Sequence, residues 1–307
     1  LPQLTNEYNF WMRGADLLRP EEPASEHTVQ LSNGGILNRY WDEMNTPRPE
    51  GYAADLKTHA RALADPSEHY RHIRGACESG WDFSSRWLKD EKKITTIHTC
   101  ELIPVDLNCL LWHLEKTLAE AYTAEGKPQT AKEYEEKALR RQAGIEAVCW
   151  DHKEQVYTDY NFIAQIPSSV ITMAMAYPLF CGMAPANQAG LVLDRMEKDF
   201  LHAGGLLTTL IESGQQWDAP NGWAPLQWIG YKAALNYNRP ELAKRIAHNW
   251  TENVEKVFKR TGRLMEKYNV IDTSLEAGGG EYKNQDGFGW TNGVYAKLRK
   301  LLGEPVS

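Results

Sequence analysis

From Val105 onward, apolar side chains fall at Leu107, Leu110, Leu111, Leu114, Leu118, Ala121 and Tyr122. Steps of three and four residues place these on one face of a helix of period 3.6. Gly126 and Pro128 end that helix. A second begins near Thr130, with Ala131, Tyr134, Ala138, Ile145 and Val148 facing inward. So short a connection makes the two an antiparallel helical hairpin. The same reading predicts helices over 4–17, 51–65, 67–78, 168–180, 186–200, 224–237, 240–260 and 289–302. Strand signals are few and short, centred on 156–159. The expected fold class is therefore all-α. Repeated hairpins fit either a toroid of paired helices around a central pocket or an irregular bundle, and periodicity alone does not separate these.

Four stretches between the helices carry too much Trp, Gly and charge to be simple connectors: 45–51, 78–87, 213–225 and 276–292. Functional side chains concentrate on loops held by a rigid scaffold. No break in composition divides the chain, so residues 1–307 read as one domain. Its aromatic set is unusual, with 11 Trp and 14 Tyr against 7 Phe. Trp and Tyr join a flat apolar face to a hydrogen-bonding edge, which suits a sugar ring, although large helical cores use them too.

A net charge of −7 argues against a nucleic-acid groove, which needs clustered Lys and Arg. The basic stretch from Lys137 to Arg141 lies among Glu135, Glu136 and Glu146 and reads as a solvated helix face. No apolar run has the length of a membrane span. Neither a secretory leader nor an initiator Met opens the chain, which leaves processing or a boundary before Leu1 as expectations. Five cysteines without tight spacing read as reduced thiols in a cytoplasmic protein, with the periplasm as the alternative. His69 and His72 form a close pair but lack further ligands, so no metal and no cofactor is expected. The chain is expected to be a monomer.

The most specific segment is Gln216-Trp217-Asp218-Ala219-Pro220-Asn221-Gly222-Trp223-Ala224-Pro225. Prolines and a glycine fix the turn between two Trp. It resembles the Q-W-D-x-P-x-G-W-x-P signature of the trehalase family of glycoside hydrolases. Three more segments resemble the same family: Pro47-Arg48-Pro49-Glu50, the run from Glu78 through Gly80-Trp81-Asp82-Phe83-Ser84-Ser85-Arg86-Trp87, and Gly278-Gly279-Gly280-Glu281-Tyr282 followed by 285–290. The resemblance implies an (α/α)6 barrel, trehalose as substrate, and hydrolysis with inversion at one anomeric carbon. The family's P-G-G-R-F-x-E-x-Y-x-W-D-x-Y signature is absent, so the expectation is a barrel lacking its first helical hairpins.

Inversion needs one carboxyl group protonated to release the leaving oxygen and another ionised to activate water. The resemblance places the acid on Asp82, whose neighbours Trp81, Phe83 and Trp87 would keep it protonated by lowering the local dielectric. Taken by itself, Asp82 beside Ser84 and Ser85 reads as a cap or loop hydrogen-bonding residue; only the surrounding motif favours catalysis. The base is implied at Glu266, with Glu281 the rival. Glu281 takes the family's role of a sugar contact on a mobile lid, and three adjacent Gly favour such a lid. Arg48 and Glu50 are expected to hydrogen-bond sugar hydroxyls, Pro49 to fix the backbone between them, and Gly80 to let backbone approach the ligand. Trp217, Trp223 and Trp290 are either pocket walls or core. A non-catalytic sugar-binding module and a related α-glucosidase are the competing readings.

Overall fold

The computed structural model describes residues 1–303, which are mostly helical. They fall into two compact units: residues 1–80 with 95–169, and residues 81–94 with the chain from Val170 onward.

In the first unit, α1 (Pro2–Trp11) starts on a proline. Helices α2 (Tyr52–His59) and α3 (Pro66–Ser79) follow. Asp65 caps α3 by accepting the Ser67 amide, and Gly80 stops it in the left-handed conformation at φ 75°. The expected hairpin is α4 (Val105–Ala124) against α5 (Pro128–Cys149). Tyr8 of α1 packs on Leu118, Ala119 and Tyr134. The predicted stripe needs two corrections. Leu110 is exposed, while Glu115 and Arg141 are buried as a pair with 3.0 Å between Arg141 Nε and Glu115 Oε1. Arg141 also donates to Asn38 and Asn108. The end of the basic stretch is therefore core, because buried acceptors balance the guanidinium.

Helix α1 ends at Trp11 rather than reaching residue 17, and a three-stranded antiparallel sheet over residues 24–38 follows it. The strand expected near 156–159 is Val156–Tyr157, paired with Trp150–Asp151.

In the second unit, the expected helix over 168–180 is reduced to a short 3-10 turn, Met173–Ala176, and α6 (Tyr177–Phe180). Helix α7 (Ala186–Arg195) runs into a π-helical turn, Met196–Phe200. The second hairpin is α8 (Ala224–Asn236) with α9 (Pro240–Thr261), and α10 (Gly289–Leu301) packs on both. One short strand pair decides the site: Asn221–Trp223 lies antiparallel to Lys267–Asn269, with Trp223 opposite Lys267. Gly222 permits this packing, since a Cβ there would sit 2.5 Å from Val270 and 2.6 Å from the Leu206 carbonyl.

Candidate functional site

Asp82 is the second residue of the short segment that opens the second unit. Every residue from Trp81 to Leu88 is buried except Asp82, which is half-buried. Asp82 is thus the one residue of this run that keeps part of its surface open. Trp81, Phe83 and Trp87 supply the apolar surroundings, and the Trp87 indole donates to the Trp81 carbonyl at 3.0 Å. The Arg86 guanidinium lies 4.5 Å from the Trp81 ring and 4.3 Å from the Trp87 ring.

Glu266 is buried and held from every side. Its amide donates to the Gln285 carbonyl at 2.8 Å, and its own carbonyl accepts the Trp290 indole at 3.2 Å. The carboxylate accepts Lys267 Nζ on Oε2 at 3.0 Å and Tyr282 Oη on Oε1 at 3.0 Å. Burial pushes the Tyr282 phenol up to about 12, so it remains a donor at neutral pH. Lys267 is fully buried, and its Nζ also donates to Gln216 Oε1 at 2.9 Å.

Gln216 joins these parts. Its Nε2 donates to the Asp82 carbonyl at 2.5 Å and to Tyr282 Oη at 3.1 Å, while its Oε1 takes the lysine. One amide side chain thus contacts the Asp82 backbone, the cation beside Glu266 and the tyrosine of the glycine-rich loop. Asp218, two residues on, is fully buried and accepts hydrogen bonds from Ser84, Ser85, Thr209 and Ser213.

The glycine run packs closely. Gly279 and Gly280 have φ of 82° and 86°, and a Cβ would come 2.7 Å from the Gly214 carbonyl or 2.8 Å from Gln216 Cβ. The Gly280 amide donates to the Gly214 carbonyl at 3.0 Å, and Asn221 donates to the Gly278 carbonyl at 2.7 Å. These glycines serve a docked loop through positive φ and close approach. Glu281 beside them is exposed.

The tryptophans resolve mainly toward packing. Trp217 and Trp223 stack at 3.9 Å, Trp81 stacks on Trp217 at 5.4 Å, and Trp290 meets Trp217 and Trp223 edge-on. Trp223 is fully buried and Trp217 nearly so, so neither ring lies open as a sugar platform.

The remaining expected contacts lie in the first unit. Arg48 is buried, with 2.6 Å between its Nη2 and Asp55 Oδ1 and 3.1 Å from its Nη1 to Cys77 Sγ. Its amide also donates to Asp55. Asp55, on α2, was not read from the sequence as a partner, although its position seven residues on allows the pairing. Pro49 and Glu50 are exposed. Gly80 owes its conformation to the end of α3, and a Cβ there would meet nothing within 4 Å.

The sequence reading also passed over Lys267, Tyr282 and the roles of Gln216 and Asp218. The last two stood within the quoted signature, where motif identity was visible and contacts were not. No group of three or more metal-ligating side chains converges among the described residues. Gln216 thus links the backbone of half-buried Asp82 to the lysine beside buried Glu266, and two such acidic residues are groups able to donate a proton and to activate water.

The trehalase family model matches residues 1–303. Among curated proteins, the chain is 44% identical over 306 residues to a periplasmic trehalase of Citrobacter koseri, covering 98% of this chain and 53% of that protein. It is 45% identical over 304 residues to a periplasmic trehalase of Pseudomonas aeruginosa, covering 99% and 55%. The chain thus spans about half the length of the curated relatives it matches. Among solved structures, the neutral trehalase of Saccharomyces cerevisiae matches with TM-score 0.72 and 24% identity, over 91% of this chain and 54% of that one. A mannosylglycerate hydrolase of Thermus thermophilus matches with TM-score 0.55 and 21% identity, over 85% and 55%. These structural likenesses give the fold class, helical hairpins of the (α/α)6-barrel type. The match over nearly the whole chain, with relatives close to half identical, establishes that this chain belongs to the trehalase family.

Proposed function

We propose that, within its full-length protein, this chain carries the acid–base centre that hydrolyses α,α-trehalose to two glucose molecules with inversion. Asp82 is the general acid and Glu266 the general base. Glu281 contacts the sugar from the glycine-rich loop. The observation that carries this reading is the Gln216 side chain, bonded both to the Asp82 carbonyl and to the lysine beside Glu266. A sugar-binding module needs no such link between the backbone of one acidic residue and the cation beside another. Family membership and the names of the relatives supply trehalose as the substrate.

In the reaction, the Asp82 carboxyl gives its proton to the interglycosidic oxygen as that bond breaks. Glu266 takes a proton from water, which attacks the anomeric carbon from the opposite face. The products are one β- and one α-glucose, and the proton gained by Glu266 equals the one lost by Asp82, so a proton exchange with solvent resets both groups. Tyr282 and Lys267 hold the base carboxylate at fixed orientation. The two compact units are read as parts of one catalytic domain, since the family match runs through both. The periplasm replaces the cytoplasm as the proposed compartment, because the relatives are named periplasmic trehalases. Cysteine usage does not oppose this. Burial pushes the Cys100 and Cys181 thiols up to about 12, leaving little thiolate to oxidise. No helix among the described residues is long and apolar enough to cross a membrane.

The test is azide rescue in the full-length protein. Glu266→Ala removes the group that activates water and leaves room for a small anion, so azide should yield β-glucosyl azide from trehalose. Glu281→Ala should weaken binding and give no azide product. Azide product from Glu281→Ala alone would exchange the two roles. Turnover of maltose or kojibiose in place of trehalose by the unmodified protein would refute the substrate.

A further inference from the structure

The two most distinctive segments of the second unit pair in step. The Gln216 side chain donates to the Asp82 carbonyl at 2.5 Å, and the Trp217 amide donates to the Phe83 carbonyl at 3.1 Å. Asp218 then closes the run. Its Oδ1 accepts Ser84 Oγ at 2.9 Å and Ser85 Oγ at 2.8 Å, and its Oδ2 accepts the Ser85 amide at 2.7 Å. Three consecutive residues of one loop thus engage the four residues that start at Asp82.

Asp218 is also tied behind. Thr209 Oγ1 donates to Oδ1 at 2.9 Å, and the Ser213 hydroxyl donates to Oδ2. A fully buried carboxylate is costly unless its lone pairs are satisfied, and here every identified partner is a donor. Such a group does not touch solvent or ligand, so its use lies in what it holds. The strongest constraint it imposes falls on Ser84 and Ser85, two and three residues past the only half-buried member of that segment.

We propose that Asp218 is the positioning residue of the general acid: it anchors Ser84 and Ser85, and so fixes the backbone from which Asp82 reaches the leaving oxygen. This rests on the acid role proposed for Asp82. Glu266 is reached by a different route, through Lys267 and Gln216 Oε1. Loss of Asp218 should therefore impair protonation of the leaving group more than activation of water.

Asp218→Asn tests this without changing volume. It sets an amide donor against donors, so the anchor fails on one oxygen. The full-length variant is assayed on trehalose, whose glucose leaving group needs a proton, and on α-glucosyl fluoride, whose fluoride needs little. On trehalose, kcat should fall on the order of a hundredfold with KM within about threefold, while fluoride hydrolysis should fall less than about fivefold. Ser85→Ala removes one hydroxyl donor and keeps the amide, so it should show the same selectivity with a smaller loss. It decides the matter if Asp218→Asn fails to fold. Equal losses on both substrates, or a rise in KM alone, would overturn the positioning role. Absence of trehalose turnover in the unmodified protein would instead refute the proposed function, and the selectivity would then be read on whichever α-glucoside it cleaves.

Discussion

Replacing Lys267 by Met asks whether the lysine stabilises Glu266 or merely sits beside it. At the observed 3.0 Å, opposite unit charges attract by about 5.5 kcal/mol at an effective dielectric of 20. Both side chains are buried, so desolvation offsets much of that attraction. Met fills nearly the same volume but removes the cation. Glu266 then keeps Tyr282 on Oε1 and loses the cation on Oε2. Breaking a buried pair from one side costs about 3–5 kcal/mol, whereas replacing both members costs much less. Lys267→Met should therefore lower stability by about 3–5 kcal/mol in equilibrium urea unfolding followed by tryptophan fluorescence. The double variant Glu266→Gln/Lys267→Met should recover about 2–3 kcal/mol relative to the sum of the two single changes. Additive losses would refute the argument, since they would mean that the two charges do not stabilise one another.

Two further outcomes follow from the packing. Gly280→Ala places a Cβ against Gln216 at φ 86°, so the glycine-rich loop should undock, KM should rise, and trypsin should cut faster after the exposed Lys283. Unchanged cleavage would show that the loop does not depend on this close approach. His69 is fully buried with neither ring nitrogen hydrogen-bonded, and burial lowers its pKa, with His59 adding repulsion and Asp55 opposing. The folded protein therefore takes up this proton less readily than the unfolded chain. Stability should fall as pH drops below about 6.5, by at most about 1.4 kcal/mol per pH unit from this group, until the folded pKa is reached. His69→Phe should flatten that part of the pH profile in urea unfolding at pH 7 and pH 5. An unaltered profile would remove His69 as its source.

What the sequence by itself determined is local. The stripe around Leu107, Leu111 and Leu118 defined α4, proline starts and glycine stops defined several helix ends, and a ten-residue signature carried the family. Each depends on residues close in the chain, whose spacing sets which face they share. Tertiary structure decided the rest. Nothing in a Glu-Lys-Tyr sequence says that the lysine will be buried, because its partner Gln216 lies 51 residues away. Nor does the signature reveal that Asp218 reaches Ser84 across 134 residues, or that Trp217 and Trp223 stack on one another instead of facing outward. The short pairing of 221–223 with 267–269 sets Trp223 opposite Lys267, and strands of three residues leave hardly any periodic trace. A buried charge is legible only with its partner, and partners so distant in the chain meet only when the fold brings them together.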